Sequence, residues 1–515
     1  MNRDEKPCST SARRVVNGLL SIAITAFTFG LTLAASPLFG VDSTETGSGI
    51  FQAGTNLQLF LDDELIASRQ GVALRLNRPE RREVVFRFDA PWEGTESAYV
   101  TMMRDGDRFR MYYRGGGETT QESTCMAEST DGIHWIRPKL GLFDFKGSKE
   151  NNIIWVGRKK AYWESHNFAP FKDSNPAAKP DEKYKAVALG RYPDETGDRK
   201  RMLVALVSPD GVHWRHVQEE PMIRKGSFDS QNVVFWDTVQ QQYVCYFREG
   251  RDGKRSVRRC SSKDFATWGE SAWLEFANTP LEQFYTCAIA PYFRNPGIYI
   301  GLPMRFVPER QKVGTDGRKV DALSDGVLIS SHDGTQFHRT FMEAFVRPGP
   351  DQNNWGSGHG NNTPAWGLLD TAANEISIYW SENYGVDWID KTARVKKGRM
   401  PQLRRGTVRT DGFISVNAPH AGGEFSTRPL IFSGSKLVVN FSTSAIGSIR
   451  LEILDAGGKA LNELSLANCP EIYGDEIERT IEWKHGADLS RLAGQTIRLR
   501  FVMKDADLYS FRFLP

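Results

Sequence analysis

The chain has 515 residues and a formal net charge of +3, with its 66 Lys and Arg set among 63 Asp and Glu instead of gathered in runs. That length exceeds one small core and predicts roughly two or three folded units, and the interspersed charge argues against nucleic acid as a partner. Aromatics at 11% together with 47 glycines suit a turn-rich β protein.

At the start, Arg13 and Arg14 precede the apolar run VVNGLLSIAITAFTFGLTLAAS. Residues 1–36 therefore read as a secretory signal peptide, cleaved after Ala34 or Ala35, or, if uncleaved, as a membrane anchor. The expected location is secreted or periplasmic, with membrane contact only if the leader is kept. Beyond it lie Cys125, Cys245, Cys260, Cys287 and Cys469, without CxxC spacing, which speaks against a zinc site of cysteines and leaves buried free thiols or a Cys245–Cys260 pair. No metal and no cofactor are expected.

Next comes a recurring turn: ESTDGIHW (128–135), VSPDGVHW (207–214), SSKDFATW (261–268), SSHDGTQF (330–337) and the degenerate RTDGFISV (409–416). Its aspartates, Asp131, Asp210, Asp264, Asp333 and Asp411, are 79, 54, 69 and 78 residues apart, too uneven for a tight solenoid but suited to small sheets with insertions. Upstream of each turn stands an alternating aromatic run such as DGDRFRMYYRG (105–115), and before that an apolar run such as SAYVTMM (97–103) or SQNVVFW (230–236). Strand, turn, aromatic strand, loop, strand, DG turn, strand, repeated five times, predicts an all-β fold: a five-bladed β-propeller over 55–412. The Ser and Asp side chains of each turn are expected to bond backbone N–H groups, which makes these aspartates scaffolding and not catalysts. From 413 to 515 the aromatic DG turns stop, and LVVNFST, SIRLEILDA and QTIRLRFVMKDADLYSFRF predict a C-terminal β-sandwich packed directly on the propeller.

The stretches PWEGTESAYV, DGIHWIRPKLGLFDFKGSKENNIIW, HNFAPFKDSNP, FDSQNVVFWD and GFISVNAPHAGGEFSTRPLIFSG, with the leader and the five turns, resemble exported propeller proteins of the invertase and arabinanase type, glycoside hydrolase families 32 and 43. The resemblance implies a glycosidase-like scaffold and a carbohydrate substrate. The Asn-Asp-Pro, Arg-Asp-Pro and Glu-Cys motifs of the invertases are absent, so no catalytic residue carries over by motif.

Site residues must then come from position. In a propeller the first strand of each blade lines the channel, so polar residues at those strand entrances converge. Cleaving a glycosidic bond needs one carboxyl that donates a proton and one that attacks or activates water. Asp229, before the apolar strand of FDSQNVVFWD, is the leading carboxylate, with a strand-entrance cap as its structural alternative. Glu93 and Glu96 are its candidate partners, and Asp63 of LFLDDELI a further one, although a loop charge for the glutamates and a turn residue for Asp63 are the readings the local sequence favours. His166, Asn167, Asn232, Tyr285, Arg305, His359, Asn361 and Asn362 form the expected sugar-binding set. Arg305, with Arg248 and Arg347, would suit an acidic or sulfated sugar, or else bridge blades. Besides the hydrolase, the sequence leaves open a carbohydrate-binding propeller without catalysis and a sialidase-like enzyme.

Overall fold

The computed structural model describes residues 49–515 apart from 118–119, 159–163, 277–278, 312–320, 357–358, 386–399 and 487; the leader lies outside the described residues. The described chain is nearly all β.

Blade one pairs Ala98–Asp105, Arg108–Gly117, Thr120–Ser129 and Ile153–Trp155 in simple antiparallel order. Blade two repeats the pattern with Ala169–Lys172, Tyr184–Pro193, Arg199–Ser208 and Arg215–His216, and blade three with Val233–Asp237, Gln242–Arg251, Lys254–Ser262 and Ala272–Trp273. In blade four the ladder holds Ile289–Tyr292, Asn295–Gly301 and Ile329–Ser331, while Met304–Gln311 and Asp321–Gly326 pair with each other as a separate hairpin. Blade five takes Leu369–Ala372, Glu375–Glu382 and Gln402–Arg409, and its outermost strand is Glu80–Arg87 from the front of the chain. The five-bladed ring is thus closed by strands from both ends of the propeller sequence, which pairs an edge that would otherwise be open.

This closure changes the role of two stretches. The degenerate fifth turn does not lead to a fourth strand of blade five: Ile414–Ala418 leaves the propeller and pairs with Ala73–Leu76. Asp411 stands at that exit, buried, accepting hydrogen bonds from Tyr292 Oη at 2.6 Å and Ser510 Oγ at 3.0 Å, with Arg294 Nε also at 3.0 Å. Residues 51–76, counted from position 55 with the propeller on sequence grounds, instead supply Phe51–Gly54, Gln58–Leu59, Ile66–Gln70 and Ala73–Leu76 to a ten-stranded sheet with the C-terminal strands. Their short alternating pattern suits either neighbour; register with the long strand Thr496–Leu514 and with Gly423–Thr427 decides it. LVVNFST and SIRLEILDA are one strand, Lys436–Asp455, with its register shifted between Thr443 and Ser448. An apolar cluster that includes Phe60, Phe425, Phe432, Phe501 and Phe513 fills this unit.

The cysteines Cys125, Cys245, Cys260, Cys287 and Cys469 are all buried and free, although Cys245 and Cys260 face each other across adjacent strands. Burial pushes the Cys287 thiol up to about 12, so it behaves as a small apolar group.

Candidate functional site

The aspartates of the repeated turns are occupied locally. Asp131 Oδ1 accepts the N–H groups of Ile133 and His134, both at 2.8 Å, while Ser129 Oγ accepts that of Gly132 at 2.9 Å. Asp210, Asp264 and Asp333 repeat the arrangement, with Asp-to-amide distances between 2.7 and 2.9 Å. The residue after each aspartate has positive φ, 74° at Gly132, 78° at Gly211 and 74° at Gly334, a conformation glycine adopts without strain. A tyrosine on the aromatic strand of the preceding blade then bonds that residue's carbonyl: Tyr379 to Gly132 at 2.8 Å, Tyr112 to Gly211 at 3.1 Å and Tyr246 to Gly334 at 2.6 Å. The tyrosines of the corresponding strand in blade two bond Asp105 and Glu164 instead, and the turn it faces has Phe265 in place of glycine, its ring 5.9 Å from Phe171. The two repeated motifs are therefore halves of one inter-blade lock.

A different arrangement stands where blades one, two and three meet. His166, ahead of the first strand of blade two, lies between two carboxylates: Nδ1 is 2.7 Å from Glu122 Oε1 and Nε2 is 3.0 Å from Asp229 Oδ1. The imidazole holds these two oxygens no more than about 8 Å apart, within the range of about 5–10 Å found for paired glycosidase carboxylates. An imidazole donates from both nitrogens only as the cation.

Burial works against the charge of Asp229, but the hydrogen bond and charge of His166, with Arg248 and Arg201, hold its carboxyl below the usual range. Arg201 Nη2 is 3.2 Å from Asp229 Oδ2. Glu122 is likewise lowered, burial being outweighed by His166 and Arg114. The Arg114 guanidinium is buried; it is nearly equidistant from the two ring nitrogens of His166, at 3.1 and 3.2 Å, and donates to Tyr384 Oη and the Glu96 carbonyl, both at 2.8 Å.

An aromatic and cationic wall adjoins these groups. Arg114 lies 4.8 Å from the Tyr99 ring, and Tyr99 has φ 53° where the first strand of blade one shifts register. A tyrosine in the left-handed region costs on the order of 1–3 kcal/mol, a strain that tends to collect at functional sites. Arg248 and Arg255 both lie over Tyr285, at 4.6 and 5.3 Å, and Arg248 Nη1 is buried without a hydrogen-bond partner. Beside Tyr285, the His359 ring packs at 5.6 Å, and its carbonyl faces Tyr99 Oη at 3.5 Å.

The other sequence-selected residues have mixed positions. Glu93 is buried and fully engaged by Tyr113 Oη, by Arg137 through Nε at 2.9 Å and Nη2 at 2.8 Å, and by the Ala90 N–H at 2.9 Å. Glu96 borders the cluster through its carbonyl, and its charge acts on Arg114. Asp63 sits between strands of the ten-stranded sheet and pairs with Arg69 at the surface. Asn167 is buried beside His166 with neither amide atom hydrogen-bonded. The Asn232 amide turns back on the carbonyls of Phe228 and Ser230, both at 2.9 Å. Asn361 and Asn362 tie loops together, to Gly356 at 2.6 Å and Ser324 at 2.9 Å, and Arg305 forms a fork on Asp325 with a further bond to Glu282 at 2.7 Å.

Glu122, Arg114 and Arg201 were not anticipated. They lie on the second and third strands of blades one and two, and no entrance-of-first-strand rule selects them. The one available signal was the recurring Arg after the aromatic pair, Arg114 in YYR and Arg248 in YFR.

The chain matches no family model and none of the curated proteins. Solved structures that it resembles include glycoside hydrolases. A family 32 β-fructofuranosidase of Bombyx mori is 10% identical, with 84% of this chain and 94% of that one covered at a TM-score of 0.42. A glycosyl hydrolase from Bacteroides ovatus is 14% identical, covering 65% and 94% at 0.40. An N-acetylgalactosamine deacetylase from F. plautii, solved with blood group B trisaccharide, is 14% identical, covering 66% and 96% at 0.43. The five-bladed assignment rests on the strand ladders themselves.

Proposed function

We propose that the protein is a glycoside hydrolase-like enzyme that cleaves a poly- or oligosaccharide, with Asp229, His166 and Glu122 as the reacting groups. The observation that carries this reading is the bridge of two carboxylates through one imidazole, built from three blades. Asp229, held ionised, suits attack on the anomeric carbon or activation of water, and His166 suits movement of a proton toward Glu122 or the leaving oxygen. Asp229 keeps its place from the sequence reading, and Glu122 takes that of Glu93 and Glu96 as its partner. Arg248 and Arg255, converging on Tyr285, favour a sugar carrying an anionic group.

Reducing-end release from a panel of neutral and uronic-acid glycans tests the reading. Cleavage that disappears in Asp229→Asn and in Glu122→Gln supports it; cleavage that survives in both rules it out. A second reading, carbohydrate binding without catalysis, is favoured by one observation, that both carboxyls are held low and neither is kept as a proton donor. Binding of a glycan by the intact protein with no release of reducing ends would select it.

Two further readings belong to the same proposal. The apolar leader is taken as an export signal, which N-terminal sequencing of protein recovered from the medium or periplasm would test. The ten-stranded sheet is taken as a sandwich folded at the register shifts of its longest strand, enclosing its phenylalanine-rich core.

A further inference from the structure

Across the junction of blade four and the ten-stranded sheet, Asp62, Glu64 and His338 bring three donor atoms together, with His332 beside the two carboxylates. Asp62 and Glu64 come from the turn between Gln58–Leu59 and Ile66–Gln70. His332 belongs to the repeated turn of blade four, and His338 follows the strand Gln336–Phe337. His332 Nε2 is 3.4 Å from Asp62 Oδ2 and 3.3 Å from Glu64 Oε2, and His338 Nε2 is 3.7 Å from Asp62 Oδ2. The donors of Asp62, Glu64 and His338 all lie within 4.8 Å of one another.

These separations are longer than hydrogen bonds, which run about 2.7–3.2 Å. They match another geometry. A tetrahedral ion with ligand bonds of about 2.0–2.2 Å sets its donors roughly 3.3–3.6 Å apart. A second observation points the same way: Asp62 is only 6% exposed, and its Oδ2, the atom aimed at both histidines, has no hydrogen-bond partner. A buried carboxylate oxygen that has two imidazoles at 3.4 and 3.7 Å but no hydrogen bond is incompletely satisfied, which is costly unless something else completes its shell. Its other oxygen is fixed by the Glu64 N–H at 2.8 Å, which orients the free one. The side chains of His338 and Glu64 are 37% and 38% exposed, leaving an approach from solvent.

We infer that Asp62, Glu64 and His338, with His332 beside the two carboxylates, form a binding site for one divalent transition-metal ion of the zinc type. Imidazole together with carboxylate donors suits zinc among the common ions, and the place of the site, between two parts of the fold, suits a structural ion. The ion would link a segment at position 62 to a blade at position 332, beside existing bonds from Thr340 Oγ1 to the Leu61 carbonyl at 2.8 Å and from Asn295 Nδ2 to the Leu57 carbonyl at 2.7 Å. Sequence reading missed it because the pairs are far apart and neither contains a cysteine.

The test is zinc titration of the full chain after chelator treatment, read by calorimetry and by thermal melting. One zinc per chain is expected, with a melting point that rises with zinc concentration as binding to the folded state requires. His332→Gln and His338→Gln should each weaken binding at least about tenfold, by analogy with the loss that follows disturbance of a metal site. Asp63→Asn, a neighbour turned toward Arg69, should bind as the unaltered chain does. His338 is partly exposed, so its variant should fold even if Asp62→Asn does not; circular dichroism in chelator checks this. No stoichiometric zinc, or equal zinc binding in the His338 and His332 variants and the unaltered chain, overturns the inference. A stability that changes with pH but not with zinc overturns it as well and leaves an ion-pair cluster.

Discussion

Asp131, Asp210 and Asp264 of the repeated turns and the Asp229 and Glu122 carboxylates beside His166 are all held ionised, but by opposite means. At Asp210 burial opposes the charge but the N–H groups of His213 and Val212, with the His213 and Ser208 side chains, draw the carboxyl down to about 2. Every one of those partners lies within three residues. Asp229 leads into blade three, and of its partners His166 and Arg201 come from blade two while Arg248 lies on the second strand of blade three. A carboxylate stabilised by its own turn is scaffolding whose removal loosens one hairpin; one stabilised across a blade boundary exists only when the two neighbouring blades pack.

Substitution separates the two kinds most sharply at the channel. Asp229→Asn and Glu122→Gln should each lower turnover on a cleaved glycan by about 10²–10⁴-fold, the usual contribution of a positioned acid or base, with circular dichroism unchanged. Steady-state kinetics on the best substrate checks this, and a turn aspartate giving the same loss would erase the distinction.

Glu93 sharpens it from the other side, since its carboxylate is buried yet committed to Arg137 and Tyr113. Glu93→Gln should cost about 3 kcal/mol of stability, because a fully buried carboxylate and its ion pair with the half-buried Arg137 are lost, and should leave turnover per folded molecule near that of the unaltered chain. Denaturant melts alongside active-site titration would show whether these two effects part company.

Asp131→Ala and Asp210→Ala should each cost about 1–3 kcal/mol through lost hydrogen bonds, measured as a lowered thermal midpoint with glycan binding retained. Abolished binding at an unchanged midpoint would move these residues into the site.

The smallest effect near neutrality is in pH dependence. The Asp210 carboxyl is depressed in the folded state, so its contribution is complete above the unfolded value of 3.8 and is lost as pH falls through about 2. The stability gap between the unaltered chain and Asp210→Ala should therefore be constant from neutral pH to about 4 and close below it. A gap that varies between pH 5 and 7 would mean that another group is responsible.

Sequence by itself determined what repeats locally: the five blades, the DG turns and the aromatic strands. Each depends on neighbours within one hairpin or on a spacing of two, so pattern was enough. It also selected Asp229 and His166, because the entrance of a first strand is a local feature. Tertiary structure alone decided the rest. Glu93, chosen on the same grounds as Asp229, is spent on Arg137, 44 residues away, while Glu122 reaches His166 from a hairpin tip across a blade boundary. Residues 51–76 could pair with either unit by pattern, and the register of the long C-terminal strand took them. Asp62 and His332 meet only because the ring closes beside that sheet. Partners distant in the chain are fixed by how strands stack, and no local pattern of residues contains that information.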